Sequence, residues 1–248
     1  MDVLGIILAR AGSVGLPNKH LLPLLGRPVI SYTFDHARAS ARLTRVVVSS
    51  DCARVRKLAE ANWFETIARP PELATSDASV QDVLLHALET VEQRSNFRAD
   101  AVVVLYGNVP ARGEGVIDRA IDLLEATRCD SVRSFCPVGK WNPVWMHRFA
   151  DDEQVMMLQP NSVHRRQDLE PIFLHDGAVV AVSRASLLRG RENPNDPHAF
   201  FGVDRRGIRT EIGETVEIDH LRDLYWAEAV LRERAAASDE TCGLRAAI

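Results

Sequence analysis

Thirteen residues near the start of the chain, Leu8-Ala9-Arg10-Ala11-Gly12-Ser13-Val14-Gly15-Leu16-Pro17-Asn18-Lys19-His20, bring together two glycines, a hydroxyl and two cations just after a short apolar run. That set suits a triphosphate. Glycine lets backbone N–H groups approach phosphate oxygens, while Arg10 and Lys19 neutralise charge that grows on a leaving pyrophosphate. The string is neither a Walker A loop, since no GK[ST] ends it, nor the GxGxxG of dinucleotide sites. Two glycines and a lysine taken alone are better explained as a strand-to-helix turn with solvated cations. Far along the chain, Thr215-Val216-Glu217-Ile218-Asp219 alternates, so that Glu217 and Asp219 share one face of an extended segment. Such a pair holds a hard cation that bridges phosphate oxygens, or it is two solvated acids on an edge strand, the commoner arrangement.

The elements that must position these residues follow from periodicity. Val3 to Ala9, Arg45 to Ser50, Ala101 to Leu105 and Asp130 to Ser134 are apolar runs that read as strands buried on both faces. Between them lie helical patterns: Val29 to Arg42, Cys52 to Ala61 with Asp51 as cap, Val80 to Arg94 with Ser79 as cap, and Gly115 to Thr127. The alternation predicts an α/β fold with a doubly wound, mostly parallel sheet, whose ligands lie beyond the carboxyl ends of the strands. Residues 137–175 break the pattern with four prolines and read as an inserted arm or lid. Gly177 to Ser183 returns as a strand, Leu221 to Arg234 is a last amphipathic helix, and 235–248 reads as a frayed tail. Residues 1–234 therefore form one domain.

Composition excludes other classes. The chain has 248 residues, 46% of them hydrophobic, enough for a proper core. Its 30 basic and 34 acidic residues leave a net charge of −4, so no general field draws it to nucleic acid or to a membrane surface. Four cysteines without a CxxC pair fit reduced thiols, and the acidic N-terminus is unlike a signal peptide. A cytoplasmic location is the expectation.

The motifs, taken in order, resemble the CMP-acylneuraminate (CMP-sialic acid) synthetase family. Residues 9–20 are similar to its ARxGSKGxPxKN pattern, Val48-Ser49-Ser50-Asp51 to its VSTD, and Arg69-Pro70-Pro71-Glu72-Leu73-Ala74 to its RPxELA. Arg166-Gln167 and Asp176-Gly177-Ala178 resemble the RQ and NGA elements, and Glu217-Ile218-Asp219 the late DID. The resemblance implies a fold of the nucleotide-diphospho-sugar-transferase type, a homodimer formed through the inserted arm, and a Mg²⁺-dependent cytidylyltransferase that joins CTP to an acidic eight- or nine-carbon 2-keto sugar. It further implies that Arg10, Ser13 and Lys19, with Leu8 and Ala9 beside them, hold the triphosphate, and that Arg69 and the backbone around Ala78 read cytosine. Glu217 and Asp219 would hold the metal, while Tyr106, Asn108, Arg166 and Asp176 would face the sugar. Arg10, Lys19 and Asp219 would carry the catalysis.

Departures from the family pattern cluster on the acceptor side. Tyr106 replaces a glutamine, Leu174 and His175 a basic-Pro pair, Asp176 an asparagine and Val180 a tyrosine. On the nucleotide side Val14 replaces a lysine and His20 an asparagine. CTP use is therefore expected to persist, with the choice of acidic sugar open. Two other readings remain: a nucleotidyltransferase acting on a sugar phosphate, and a catalytically weak homologue that binds CTP. The phosphate reading stands or falls on whether residues 10–19 and 217–219 meet in one cleft.

Overall fold

The computed structural model describes residues 1–12 and 15–245. The first apolar run becomes strand β1 (Val3–Leu8), buried along its whole length. The two-residue β2 (Pro23–Leu24) and β3 (Arg27–Pro28) pair with each other before β4 (Arg45–Ser50), β5 (Glu65–Ala68) and β6 (Ala101–Tyr106). Then come β7 (Ser131–Pro137), the arm hairpin β8 (His147–Phe149) and β9 (Val155–Met157), β10 (Phe173–Ser183) and β11 (Arg205–Arg209). The helices are α1 (Val29–Ala39), α2 (Ala53–Ala61), α3 (Val80–Arg94), α4 (Val116–Thr127), α5 (Arg184–Arg189) and α6 (Leu221–Arg245).

Seven strands form the central sheet in the order β11-β7-β10-β6-β1-β4-β5. β1 lies parallel to β4 on one side and to β6 on the other, with Leu4 opposite Arg45 and Val3 opposite Ala101. Its two neighbours are reached by crossovers on opposite faces, which is what double winding means. On one face Ile30 and Phe34 of α1, Val55 of α2 and Ile121 of α4 pack on Val3 and Ile7. On the other, Leu84 and Leu88 of α3 and Leu187 of α5 pack on Leu4 and Ile6. Each such side chain, wholly withdrawn from water, stabilises the fold by about 1.5–3 kcal/mol. The chain reverses its strand order between β1 and β6, so the loops after these two strands border the crevice where ligands bind in open α/β sheets.

Several expectations need correction. The Asp130–Ser134 strand runs in the same direction as the central strands, as expected, but is not their neighbour, because β10 lies antiparallel between β6 and β7. The chain leaves the sheet at Pro137, passes through the arm and re-enters at the same end, with Phe173 opposite Pro137, so the returning strand runs backwards. That strand begins at Phe173 rather than at Gly177, with its register broken between His175 and Val180. Asp51 does not cap α2, which starts at Ala53 with no side-chain cap. Ser79 does cap α3, accepting from Asp82 N. The last helix runs on beyond Arg234 to Arg245, where a frayed tail was expected; residues 246–248 lie outside those described. No helix among the described residues is long and apolar enough to cross a membrane. Cys129 is buried and Cys52 and Cys136 are half-buried free thiols.

Candidate active site

The loop after β1 is pinned from several sides. Ala11 N donates to Asp51 Oδ1 at 2.9 Å, and this is where the carboxylate expected to cap α2 is used. Asn18 turns the chain with a left-handed φ of 54°, and Lys19–Leu21 form a single 3₁₀ turn. A Cβ built on Gly15 would stand 2.7 Å from the Asp219 carbonyl oxygen, so a side chain there would push the loop off the 217–219 segment. Among the described residues Gly12 meets nothing within 4 Å and carries no such demand. Lys19 Nζ donates to Asp219 Oδ1 at 2.7 Å. The glycine loop and the late acid pair therefore do meet, although they are distant in sequence. Ser13 and Val14 lie outside the described residues.

The 217–219 segment is held by the loop after β6. Val216 N donates to Ala111 O at 3.1 Å and Ile218 N to Asn108 O at 2.8 Å. Val216 and Ile218 turn into a small core with Leu24, Val29 and Ala227, which leaves Glu217 and Asp219 on the opposite side, as the period of two predicts. Asn108 spends both amide hydrogens here, donating to Glu217 Oε1 at 3.1 Å and to Ile218 O at 3.0 Å. Asp223 Oδ2 accepts from Asp219 N and His220 N, closing the first turn of α6. The Glu217 carboxyl is pushed above the usual carboxylate range by withdrawal from solvent, and the Asp219 charge adds to this, while the Asn108 hydrogen bond and Lys19 oppose it.

Between these segments lies a cleft with a cavity volume of about 240 Å³. Leu8, Arg10, Lys19 and His20 line it from the loop after β1, Arg69 and Ala78 from the next crossover, and Tyr106, Asn108 and Glu217 from the far wall. Arg69 is buried, donating through Nη2 to Ser49 O at 2.9 Å and through Nε to Ser49 Oγ at 3.3 Å. Burial pushes its pKa down to about 10, with Asp51 opposing and Arg10 assisting. Burial raises the Tyr106 phenol to about 12, helped by Glu217.

Three of the expected residues fall elsewhere. Ala9 is wholly buried, and its part is structural, with N donating to Ser49 O. Arg166 stands exposed on the arm, in the turn Arg166–Asp168, and does not line the cleft. Asp176 accepts four hydrogen bonds from Ser134 Oγ, Ala178 N, Thr210 Oγ1 and Thr215 Oγ1, so its carboxylate ties the β10 bulge to β7 and to the 210–215 segment rather than facing a ligand.

Sequence reasoning gave no role to Arg112, and expected His20, in the place of a family asparagine, to contact phosphate or sugar. Arg112, 2% exposed, donates to the carbonyls of Tyr106, Val109 and Ala178 and to Thr33 Oγ1, and so fixes the loop that carries Tyr106 and Asn108. Its burial lowers its pKa to about 9, and its charge helps burial hold the neighbouring His36 at about 3. His20 packs under Gly107, and burial together with the Lys19 charge lowers it to about 4, so it is neutral near pH 7. Arg112 gives no local signal, since its partners lie in separate elements, whereas His20 does line the cleft.

The sheet order and the cleft at its switch point are those of the nucleotidyltransferase-like α/β domains. A solved structure of CMP:2-keto-3-deoxy-manno-octonic acid synthetase complexed with CTP superposes with a TM-score of 0.72, at 19% identity, over 94% of this chain and 100% of that one. The cytidylyltransferase family model matches residues 4–241, and the chain belongs to that family. Among its relatives, an N-acylneuraminate cytidylyltransferase of Streptococcus agalactiae is 30% identical over 76% of this chain and 45% of its own length. A pseudaminic acid cytidylyltransferase of Campylobacter jejuni is 30% identical over 91% of this chain and 97% of its own. A CMP-N,N'-diacetyllegionaminic acid synthase of Legionella pneumophila is 26% identical over 88% and 91%. The chain thus spans less than half of the streptococcal relative and nearly all of the other two.

Proposed function

We propose that the chain couples CTP to an acidic 2-keto sugar, a nonulosonic or octulosonic acid, giving a CMP-sugar and pyrophosphate. The observation that carries this is the meeting of Lys19 and Asp219 across a cleft that also holds Arg10, Arg69 and Glu217, in a chain of the cytidylyltransferase family. The anomeric hydroxyl attacks the α-phosphorus. An O–P bond forms, the bond to the bridging oxygen of the pyrophosphate breaks, and the hydroxyl proton leaves to solvent or to a base. In-line geometry and charge neutralisation do most of the work. Arg10 and Lys19 take the phosphates, Arg69 and the backbone at Ala78 take the base, and Tyr106 and Asn108 bound the acceptor side.

Glu217 and Asp219 suit a Mg²⁺ ion, because that cation is commonly held by one or two carboxylates together with substrate phosphates. Two observations fit: the acids stand close enough for the Asp219 charge to raise the Glu217 pKa, and Asp219 already attracts an ammonium. When bound, the ion would neutralise charge on the phosphate oxygens. Exposed apolar side chains on the arm, Phe149 at 76% and Val155 at 54% among them, support the arm as the dimer contact. A cytoplasmic enzyme of one domain, residues 1–234 with the arm at 137–175, completes the reading.

The test is pyrophosphate release with each of the four nucleoside triphosphates against N-acetylneuraminate, legionaminate, pseudaminate and 3-deoxy-manno-octulosonate, with and without Mg²⁺. Release confined to CTP plus a keto acid plus Mg²⁺ is expected. Release with a sugar 1-phosphate and no keto acid would overturn the acceptor assignment, and tight CTP binding without release would reduce the chain to a nucleotide-binding protein.

A further inference from the structure

Among the described residues, Arg133 has no ion-pair partner. It lies on β7 opposite Val180 of β10, which lies opposite Val104 of β6. Residues paired across strands share a face, as do alternate residues along one strand. Arg133 and Phe135 therefore rise on the same sheet face as Tyr106, Arg133 level with Val104 and Phe135 one pair further along; neither lines the cavity itself, but Arg133 stands near enough to Tyr106, which does, for the two to feel each other's charge. The guanidinium carbon stands 4.4 Å from the ring centroid of Phe201 and 5.1 Å from that of Phe135.

No described residue gives Arg133 a hydrogen bond or an ion pair; its contacts are the two rings. The charge nearest it in effect is that of Arg205, another cation, also stacked on Phe201. Partial withdrawal from solvent and Arg205 both push the Arg133 pKa down, so the protein around it disfavours its charge. A half-buried guanidinium left unpaired is costly unless an anion joins it. Aromatic faces hold the group flat and leave its in-plane N–H fork for a bidentate partner, which a carboxylate matches. The acceptor brings that carboxylate, and Arg166, the residue expected to receive it, stands on the arm outside the cleft.

We propose that Arg133 is the specificity-determining residue for the acceptor, its guanidinium, stacked on Phe135 and Phe201, taking the sugar carboxylate beside Tyr106. The inference rests on the cytidylyltransferase reading above. In a 2-keto sugar the anomeric carbon bears both the carboxylate and the reacting hydroxyl. Fixing the one orients the other, so Arg133 acts on turnover through alignment as well as on acceptor affinity.

The test compares N-acetylneuraminate and 3-deoxy-manno-octulosonate with their methyl esters, under saturating CTP and Mg²⁺, in the wild-type protein and in Arg133→Met, Arg133→Lys and Arg166→Met. Wild type should prefer at least one acid over its ester by about 10- to 100-fold in kcat/KM, the value of a charge-assisted pair. Arg133→Met should erase that preference and raise the acceptor KM by a similar factor, with the CTP KM and melting temperature unchanged. Arg133→Lys, which keeps the charge and loses the fork, should retain a reduced preference, and it carries the same comparison should the methionine variant not fold. A wild type without acid preference, an undiminished preference in both Arg133 variants, or a preference lost with Arg166→Met instead would each overturn the proposal. A CTP titration separates these failures from failure of the underlying reading, in which the nucleotide itself would not bind.

Discussion

Removing the Lys19 ammonium separates a binding role from a folding role. The Lys19–Asp219 pair is 2.7 Å apart, with the Lys19 side chain 14% and the Asp219 side chain 56% exposed. Because Asp219 faces water, the Coulomb attraction belongs near its solvent limit, about 1.5 kcal/mol at that separation. Ordering a lysine side chain costs up to ~2 kcal/mol, so the net contribution to folding is about 0–1 kcal/mol. In a chain of this length 1 kcal/mol moves the melting temperature by about 2–4 °C. Lys19→Ala should therefore melt within about 4 °C of wild type. Turnover should fall far more, because deleting one donor from a set that meets developing charge costs about 10²–10³-fold. Calorimetry and CTP-dependent pyrophosphate release on one preparation give both numbers. Wild-type-like turnover would remove the loop from the chemistry, whereas a melting point lower by ~10 °C would show that the ion pair belongs to the fold.

Three further perturbations bear on the same cleft. Gly15→Ala should lower turnover, because its methyl group meets the Asp219 carbonyl at 2.7 Å, while Gly12→Ala, with open space around it, should leave turnover close to wild type; equal losses in side-by-side assays would mean that the contact with Asp219 is not what matters. Asn108→Ala deletes donors to Glu217 and Ile218 at a site 4% exposed and leaves a buried carbonyl unmet, so urea melts should show a loss of about 2–4 kcal/mol, and a loss below ~1 kcal/mol would argue that the 217–219 segment is held by other contacts. His20 is buried neutral with its pKa lowered from 6.5 to about 4, so the unfolded chain binds the extra proton: stability present above pH 6.5 is lost as pH falls toward 4, by an order of a few kcal/mol. Chemical melts at pH 7, 6 and 5 should show a shallower decline in His20→Asn, and superimposable pH profiles would contradict the burial argument.

Legibility in the sequence followed the range over which each signal acts. The buried strands β1, β4 and β6 and the helices α1 to α4 announce themselves within single windows, because a run of six apolar residues or a 3.6-residue repeat is complete in itself. β5 and β11 do not: Glu65–Ala68 and the arginine-rich Arg205–Arg209 stand at the two edges of the sheet, where only part of a strand is buried and no continuous apolar run results. The antiparallel place of β10 was hidden for another reason. Strand direction depends on the path of the 137–175 arm, which carries no periodic signal. At the site, Arg10, Lys19, Glu217 and Asp219 were legible because charge in a glycine loop and alternation in an acidic segment are local patterns. Asp176 resembled a ligand-facing residue, yet three of its four donors come from distant chain, one from β7 and two from the 210–215 segment. Arg133 was invisible, since an arginine inside a strand gains its meaning from the rings of Phe135 and Phe201 and from the missing counter-charge.

The topology explains why cations and acids so far apart in the chain become neighbours. The loop after β1 is fixed to β4 through Ala9 and Asp51, and to β6 through the bond from Gly107 N to Leu8 O at 2.9 Å. The loop after β6 is in turn fixed by Arg112 and paired with 216–218. Each loop is thus tied to the sheet before it touches the other, and their meeting at Gly15 and Asp219 is set by the spacing of β1 and β6. Preorganisation of this kind matters because charges that wait in place for a phosphate need no rearrangement when charge develops. The acid pair reaches past Tyr106 toward β10, where a Cβ on Gly177 would stand 3.1 Å from Glu217 Oε2, and Arg133 stands across that strand on the face that Tyr106 shares, with no ion-pair partner among the described residues.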